Sequence, residues 1–160
     1  MNALLPFFKW CDGTWVGQAI RDSRILFPII EAIHLLALTV LLGVVILLAL
    51  RMFGLVLRYQ TVPEVVRNFN GTAWVSIGIM LVTGILLFLS EALKCFGSPS
   101  FRVKMVFLFL AIVFQGTVFR MATRSERIDK RPLERTVIGL LTLVLWFGVG
   151  LAGRAIGFIG

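Results

Sequence analysis

Residues 25–50 read ILFPIIEAIHLLALTVLLGVVILLAL, 26 residues holding one carboxylate, Glu31, and the chain's only histidine, His34. An apolar run of about 20 residues crosses a hydrocarbon core roughly 30 Å thick. At ~1.5 Å per residue this run is about 39 Å long, so it spans with length to spare. Three further apolar runs follow, at about 72–92, 101–121 and 136–158. The expected fold is therefore all-α: an integral membrane four-helix bundle with short interfacial amphipathic helices. Residues 1–24 form an interfacial N-terminal segment, and residues 25–158 a single transmembrane domain.

The composition agrees with this reading. Of 160 residues, 59% are hydrophobic, and the mean hydropathy is +0.97; in soluble domains apolar residues make up about half. The net charge of +8 comes from 16 basic and 8 acidic residues. In a membrane protein such basic residues serve loop topology and anionic headgroups, and no aromatic-interleaved basic patch points to nucleic acid. No cleavable signal peptide is expected, because Lys9, Asp12, Arg21, Asp22 and Arg24 interrupt the first residues. No CxxC, CxxCH or HExxH occurs, so zinc and covalent haem attachment lack a motif.

The connecting segments carry their own signals. From Thr14 a short helix is expected to turn Trp15, Ala19 and Ile20 towards lipid and Gln18, Arg21 and Asp22 towards water. Thr61-Val62-Pro63-Glu64 is a capping-box pattern, which predicts a short surface helix over 62–68 closed by a turn at Asn70-Gly71. Arg51 is expected to snorkel to the headgroups, and residues 95–100 to form a turn. The fourth span is glycine-rich, and its Gly153–Gly157 pair and neighbouring glycines suit a packing face for a partner helix or a second copy. Gln115 and Thr83 are read as hydrogen-bonding between helices.

Four spans place both termini and the 92–101 turn on one side of the membrane. That side holds Lys9, Arg21, Arg24, Lys94, Arg102, Lys104 and Arg154. The other holds Arg51, Arg58, Arg67 and the dense cluster Arg120, Arg124, Arg127, Lys130, Arg131 and Arg135. The positive-inside rule makes the second side cytoplasmic, with N- and C-termini periplasmic in a bacterial inner membrane. Cys11 and Cys95 then both face the oxidising side, which makes them a candidate disulfide.

Ionisable groups inside a bilayer are costly and mark functional sites by default. With the apolar slab starting near Ile29, Glu31 lies ~3 Å and His34 ~8 Å inside by helix rise. Glu91, Lys104 and Arg154 fall near the same border. Five ionisable groups on four helices thus converge on one level of the bundle. Three readings stay open. The groups tie helices together electrostatically, Glu31 and Glu91 neutralising Lys104 and Arg154; or His34 ligates a haem b iron, or hydrogen-bonds a quinone, with Glu31 or a carbonyl orienting the ring and Lys104 and Arg154 meeting the anionic groups; or His34 binds a metal, copper, with Glu31 and a methionine. No nucleophile–base pair with catalytic spacing is visible, so no catalysis by the chain alone is expected.

The runs WVGQAIRDSRILFPIIEAIHLLAL, LRMFGL, GIMLVTGILLF, SPSFRVKMVFLFLAI and GLAGRAIGF resemble an uncharacterised bacterial family of small four-helix inner-membrane proteins, distantly similar to copper-resistance protein D and to b-type membrane cytochromes. The most distinctive element is Phe27-Pro28, Glu31 and His34. The chain departs from that family at Ala49, where an acid is usual, and at Phe119-Arg120, where a histidine is usual. The second departure leaves a haem or copper site one ligand short. The resemblance so implies an accessory role: a membrane subunit or anchor of an electron-transfer assembly, in contact with lipid and other subunits. The alternatives are a purely structural subunit binding only lipid, and copper transport or resistance.

Overall fold

The computed structural model describes residues 5–159, apart from the side chains of Ala122, Glu126 and residues 156–159. All regular structure among them is helical. Helices α1 (Leu5–Asp12) and α2 (Trp15–Asp22) precede the first long helix, α3 (Leu26–Met52). Helix α4 (Val62–Ser90) returns, and α5 (Ala92–Gly97) caps its end. The third crossing is α6 (Pro99–Phe114), a π-helical turn (Gln115–Phe119) and α7 (Arg120–Thr123). A 3-10 turn (Glu126–Lys130) leads into α8 (Pro132–Ile159). Four segments, Leu26–Met52, Val62–Ser90, Pro99–Phe119 and Pro132–Ala155, are long and apolar enough to cross a bilayer. The chain fits a multi-pass membrane protein.

Helix α3 is central. It packs against α4 on one side and α8 on the other, and α6 packs against α8. Helices α4 and α6 make little direct backbone contact. The core is the seam of α3, with Leu41, Val45, Leu48 and Met52 buried against Ile77 and Met80 of α4 and Trp146 and Val149 of α8. On α6 the apolar side chains Val106, Phe109, Leu110 and Val113 face outward. Outward apolar side chains are what a helix needs where its solvent is lipid.

The glycines of α8 are used inside the chain. A Cβ at Gly139 would lie 3.1 Å from Met52 Cβ; one at Gly148 would run into the Phe107 ring; one at Gly150 would sit 3.8 Å from Leu38 and Leu42. These absent side chains let α8 approach α3 and α6 closely. The described glycine face is thus covered by the chain's own helices rather than left for a partner. Gly157, the second glycine of the Gly153–Gly157 pair, lies outside the described side chains.

Four local expectations are corrected. The surface helix over 62–68 and the turn at Asn70-Gly71 are one continuous α4. The capping box forms, with Glu64 N–H donating to Thr61 Oγ1 at 3.4 Å and Thr61 N–H to Glu64 Oε2 at 2.8 Å. The helix then runs on because Val62, Val65, Ala73, Ile77 and Met80 bury one uninterrupted face. Trp74 Nε1 also donates to Asn70 Oδ1 at 3.1 Å, one turn back. Tertiary burial here overrides a turn-prone dipeptide.

The second correction concerns 95–100. Residues up to Gly97 are helical, in α5, before Ser98 and Pro99 open α6.

The third concerns the N-terminal segment, whose first four residues lie outside the described ones. α2 docks on the protein: Gly17 and Ile20 are buried, while Trp15 is 82% exposed. Gly17 makes the docking possible, since a Cβ there would collide with the Leu89 carbonyl, whose carbon would be 2.9 Å away. Arg21 closes the α1–α2 corner with a 2.9 Å ion pair to Asp12.

The fourth concerns Arg51, which does not snorkel. It is buried, donating from Nε to Gln60 O at 2.8 Å and from Nη2 to Asp129 Oδ1 at 2.7 Å. Asp129 Oδ2 also accepts from Val62 N–H at 3.1 Å, and Arg135 stands 3.9 Å from Oδ1. One carboxylate in the 120–135 loop therefore holds the end of α3, the start of α4 and the start of α8.

Candidate functional site

The end of the bundle that carries α1, α2 and α5 contains a cavity of about 250 Å³. All four long helices line it. Helix α3 contributes Glu31 and His34, α4 contributes Met80 and Gly84, the third crossing Lys104, and α8 Gly153 and Arg154. Glu91 and Cys95 close it from the α4–α5 corner. The structure thus brings the five ionisable residues singled out in the sequence, Glu31, His34, Glu91, Lys104 and Arg154, to one cavity.

His34 is buried in its wall. Its ring fits because residue 84 lacks a side chain: a Cβ at Gly84 would lie 3.3 Å from His34 Cε1. His34 Nδ1 is 2.9 Å from Thr83 Oγ1, and that hydroxyl donates to the Ile79 carbonyl at 2.7 Å. A hydroxyl has one proton, and a carbonyl only accepts. The proton between imidazole and hydroxyl is therefore on the imidazole, so Nδ1–H donates to Thr83. The neutral ring then carries its lone pair on Nε2, which no described residue engages. Thr83 holds the ring at Nδ1, where Glu31 or a carbonyl was expected. Thr83 is the interhelical tie expected of it, and its partner is His34. The available signal was the adjacency of Thr83 and Gly84, a hydroxyl beside a gap on the facing helix.

The charges differ from the expected pairing. Glu91 pairs with Lys94 at 3.6 Å, one turn along α5. Neither Glu31 nor Lys104 is in an ion pair among the described residues. Lys104 lies along the bare face of Gly153, with Nζ 3.4 Å and Cε 3.5 Å from where a Cβ would be. The cavity thus holds a cation whose charge is balanced only at a distance. Phe88 and Phe101 line it as well, stacked with centroids 5.5 Å apart. Phe8 of α1 packs edge-on to Phe88 and Phe96, at 5.4 and 5.1 Å. The short helices therefore form an aromatic roof over the charged cavity.

Cys11 and Cys95 are both buried, and both are free thiols. Burial pushes the Cys95 thiol up to about 11, with the Glu91 carboxylate adding to the shift and Lys104 and Lys94 opposing it. A raised thiol pKa means that the folded chain holds this proton more tightly than the unfolded chain. Its contribution to stability is complete below the unfolded thiol pKa near 9 and is lost as pH rises towards 11. Only about one Cys95 in a thousand is thiolate at pH 8. Iodoacetamide is expected to alkylate native Cys95 roughly a hundredfold more slowly than the unfolded chain, with the rate rising about tenfold per pH unit up to pH ~11. A native rate equal to the unfolded one at pH 8 would contradict the burial of this thiol.

Among the described residues, no group of three or more His, Cys, Asp or Glu side chains is placed to hold a metal ion. No curated protein and no solved structure matches the chain. The sequence profile of one family covers residues 7–159, nearly the whole chain, and the protein belongs to that family, the DUF6644 family of unknown function.

Proposed function

We propose that this protein is a membrane subunit of a redox or electron-transfer assembly in a bacterial inner membrane, its termini periplasmic, and that the cavity at His34 takes a quinone headgroup. The observation that carries the proposal is the unengaged His34 Nε2 in a cavity that also offers Lys104 and stacked aromatic rings. A quinol hydroxyl donates to the Nε2 lone pair, and the Lys104 ammonium donates to the oxygen across the ring. The cavity's ~250 Å³ lies below the ~300 Å³ at which drug-sized sites begin. That suits a single substituted ring, whose isoprenoid tail runs into lipid. A haem macrocycle needs more room, and the chain supplies one histidine. A partner subunit supplies the electron acceptor or donor.

Copper is a second reading, because Met80 and Cys95 share the cavity wall with His34 and soft sulfur ligands favour Cu(I).

The test is organic extraction of protein purified in mild detergent, with quinone measured against protein and a visible spectrum recorded. About one quinone per chain, lost in Thr83→Val and Gly84→Leu, is the expected result. Thr83→Val releases the ring from its tautomer, and Gly84→Leu drives it from its place. Each is expected to lower quinone retention at least tenfold, the scale of losing one well-placed buried hydrogen bond. A Soret band lost in His34→Ala points instead to haem. Copper uptake without a Soret band points to metal handling. A purified protein that carries only phospholipid leaves a structural subunit and removes the quinone proposal.

A further inference from the structure

The opposite end of the bundle has a second cavity, of about 340 Å³, between α4 and the end of the third crossing. Three arginines stand in its wall, Arg67 from α4 and Arg120 and Arg124 from the α7 region, and no acidic side chain among the described residues does. Glu64, one turn before Arg67, is committed to the Thr61 cap. None of the three arginines is in an ion pair among the described residues. This charge density calls for an anion.

A second observation narrows the anion. Gln115 lines the same cavity, is only 5% exposed, and its Oε1 has no hydrogen-bond partner among the described residues. A buried acceptor without a donor is costly, and native structures seldom keep one unexplained. Gln115 also opens the π-helical turn Gln115–Phe119. Single π turns inside α-helices are frequent at functional sites. Trp74 completes the wall, a ring type that collects at headgroup depth.

The arginines ask for negative charge, and Gln115 asks for a donor. We propose that this cavity binds a phosphate ester carrying a free hydroxyl, the chemistry of a glycerol-type anionic phospholipid headgroup or of a soluble polyol phosphate. The arginines hold the phosphate oxygens, and the hydroxyl donates to Gln115 Oε1. The site is independent of the cavity at His34, which lies at the other end of the bundle.

Native mass spectrometry of the full chain with defined lipids tests this. Phosphatidylglycerol is compared with phosphatidylmethanol, which has the same charge and no free hydroxyl. The native chain is expected to prefer phosphatidylglycerol about tenfold. Gln115→Leu is expected to erase that preference while keeping phosphatidylmethanol binding. The double change Arg120→Gln with Arg124→Gln is expected to lower occupancy by both lipids on the order of tenfold. Arg127→Gln, an exposed arginine of the same loop outside the cavity, controls for net charge and folding and is expected to change neither. Displacement of the lipid by millimolar glycerol 3-phosphate identifies a soluble ester as the ligand; resistance to it identifies the lipid. Equal binding of the two lipids by the native chain overturns the proposal. So does a double variant indistinguishable from Arg127→Gln.

Discussion

Asp129→Ala is expected to destabilise the protein by roughly 3 kcal/mol, the cost of leaving a buried charge without its partner. The partner is Arg51, whose side chain is 7% exposed, against 23% for Asp129. Removing the carboxylate strands the guanidinium and also frees Val62 N–H at the start of α4. The reverse change, Arg51→Met, costs less. Asp129 then keeps water, Val62 N–H and the nearby Arg135, while the methionine fills the buried space. Thermal unfolding in detergent is expected to order the variants native, Arg51→Met, then Asp129→Ala. The double variant is expected to be more stable than Asp129→Ala alone, because it removes the stranded charge. A double variant no better than Asp129→Ala, or equal losses in the two single variants, shows that the ion pair does not organise this end of the bundle.

Gly17→Ala carries the second large effect. The added methyl meets the backbone carbonyl of Leu89, and a backbone in mid-helix cannot turn aside as a side chain does. The expected outcome is release of α2 from α4 rather than loss of the bundle, because α3, α4, α6 and α8 pack without it. Cys11, now 2% exposed at the α1–α2 corner, becomes reactive. Its alkylation rate at pH 8 is expected to rise by at least an order of magnitude, while the unfolding temperature falls by only a few degrees, the scale of a local change of about 1 kcal/mol. Amide exchange in residues 15–22 is expected to rise in parallel. Unchanged Cys11 reactivity, with α2 still protected, rules out docking through this contact. The variant also bears on the cavity at His34, because α1 supplies part of its aromatic roof through Phe8.

These two contacts show what kind of information a sequence of this type carries. The four long apolar helices were legible because the length a span needs is a direct consequence of bilayer thickness. The Thr61–Glu64 cap was legible because both halves of its hydrogen bonding lie within one turn. The level shared by Glu31, His34, Glu91, Lys104 and Arg154 was legible too. Helix rise converts sequence position into height along the bundle, and charged residues are rare enough in long apolar runs to stand out. Rotation was not legible. A helix apolar all round gives no amphipathic face to read, so nothing in the α8 sequence says that Gly139, Gly148 and Gly150 turn towards α3 and α6 rather than towards a partner. The same blindness hid the burial of Arg51.

The sequence by itself determined the all-helical class and the four helices long and apolar enough to cross a bilayer, because these follow from local length and composition. Only the tertiary structure decided which side chains meet. Asp129 reaches Arg51 across 78 residues, and Thr83 reaches His34 across 49, and no local rule fixes contacts at that separation. The imidazole's free nitrogen, the roof over it and the arginine-lined cavity at the other end all depend on how four nearly featureless apolar cylinders are turned against one another. That rotation is set by a few absent side chains and one buried carboxylate.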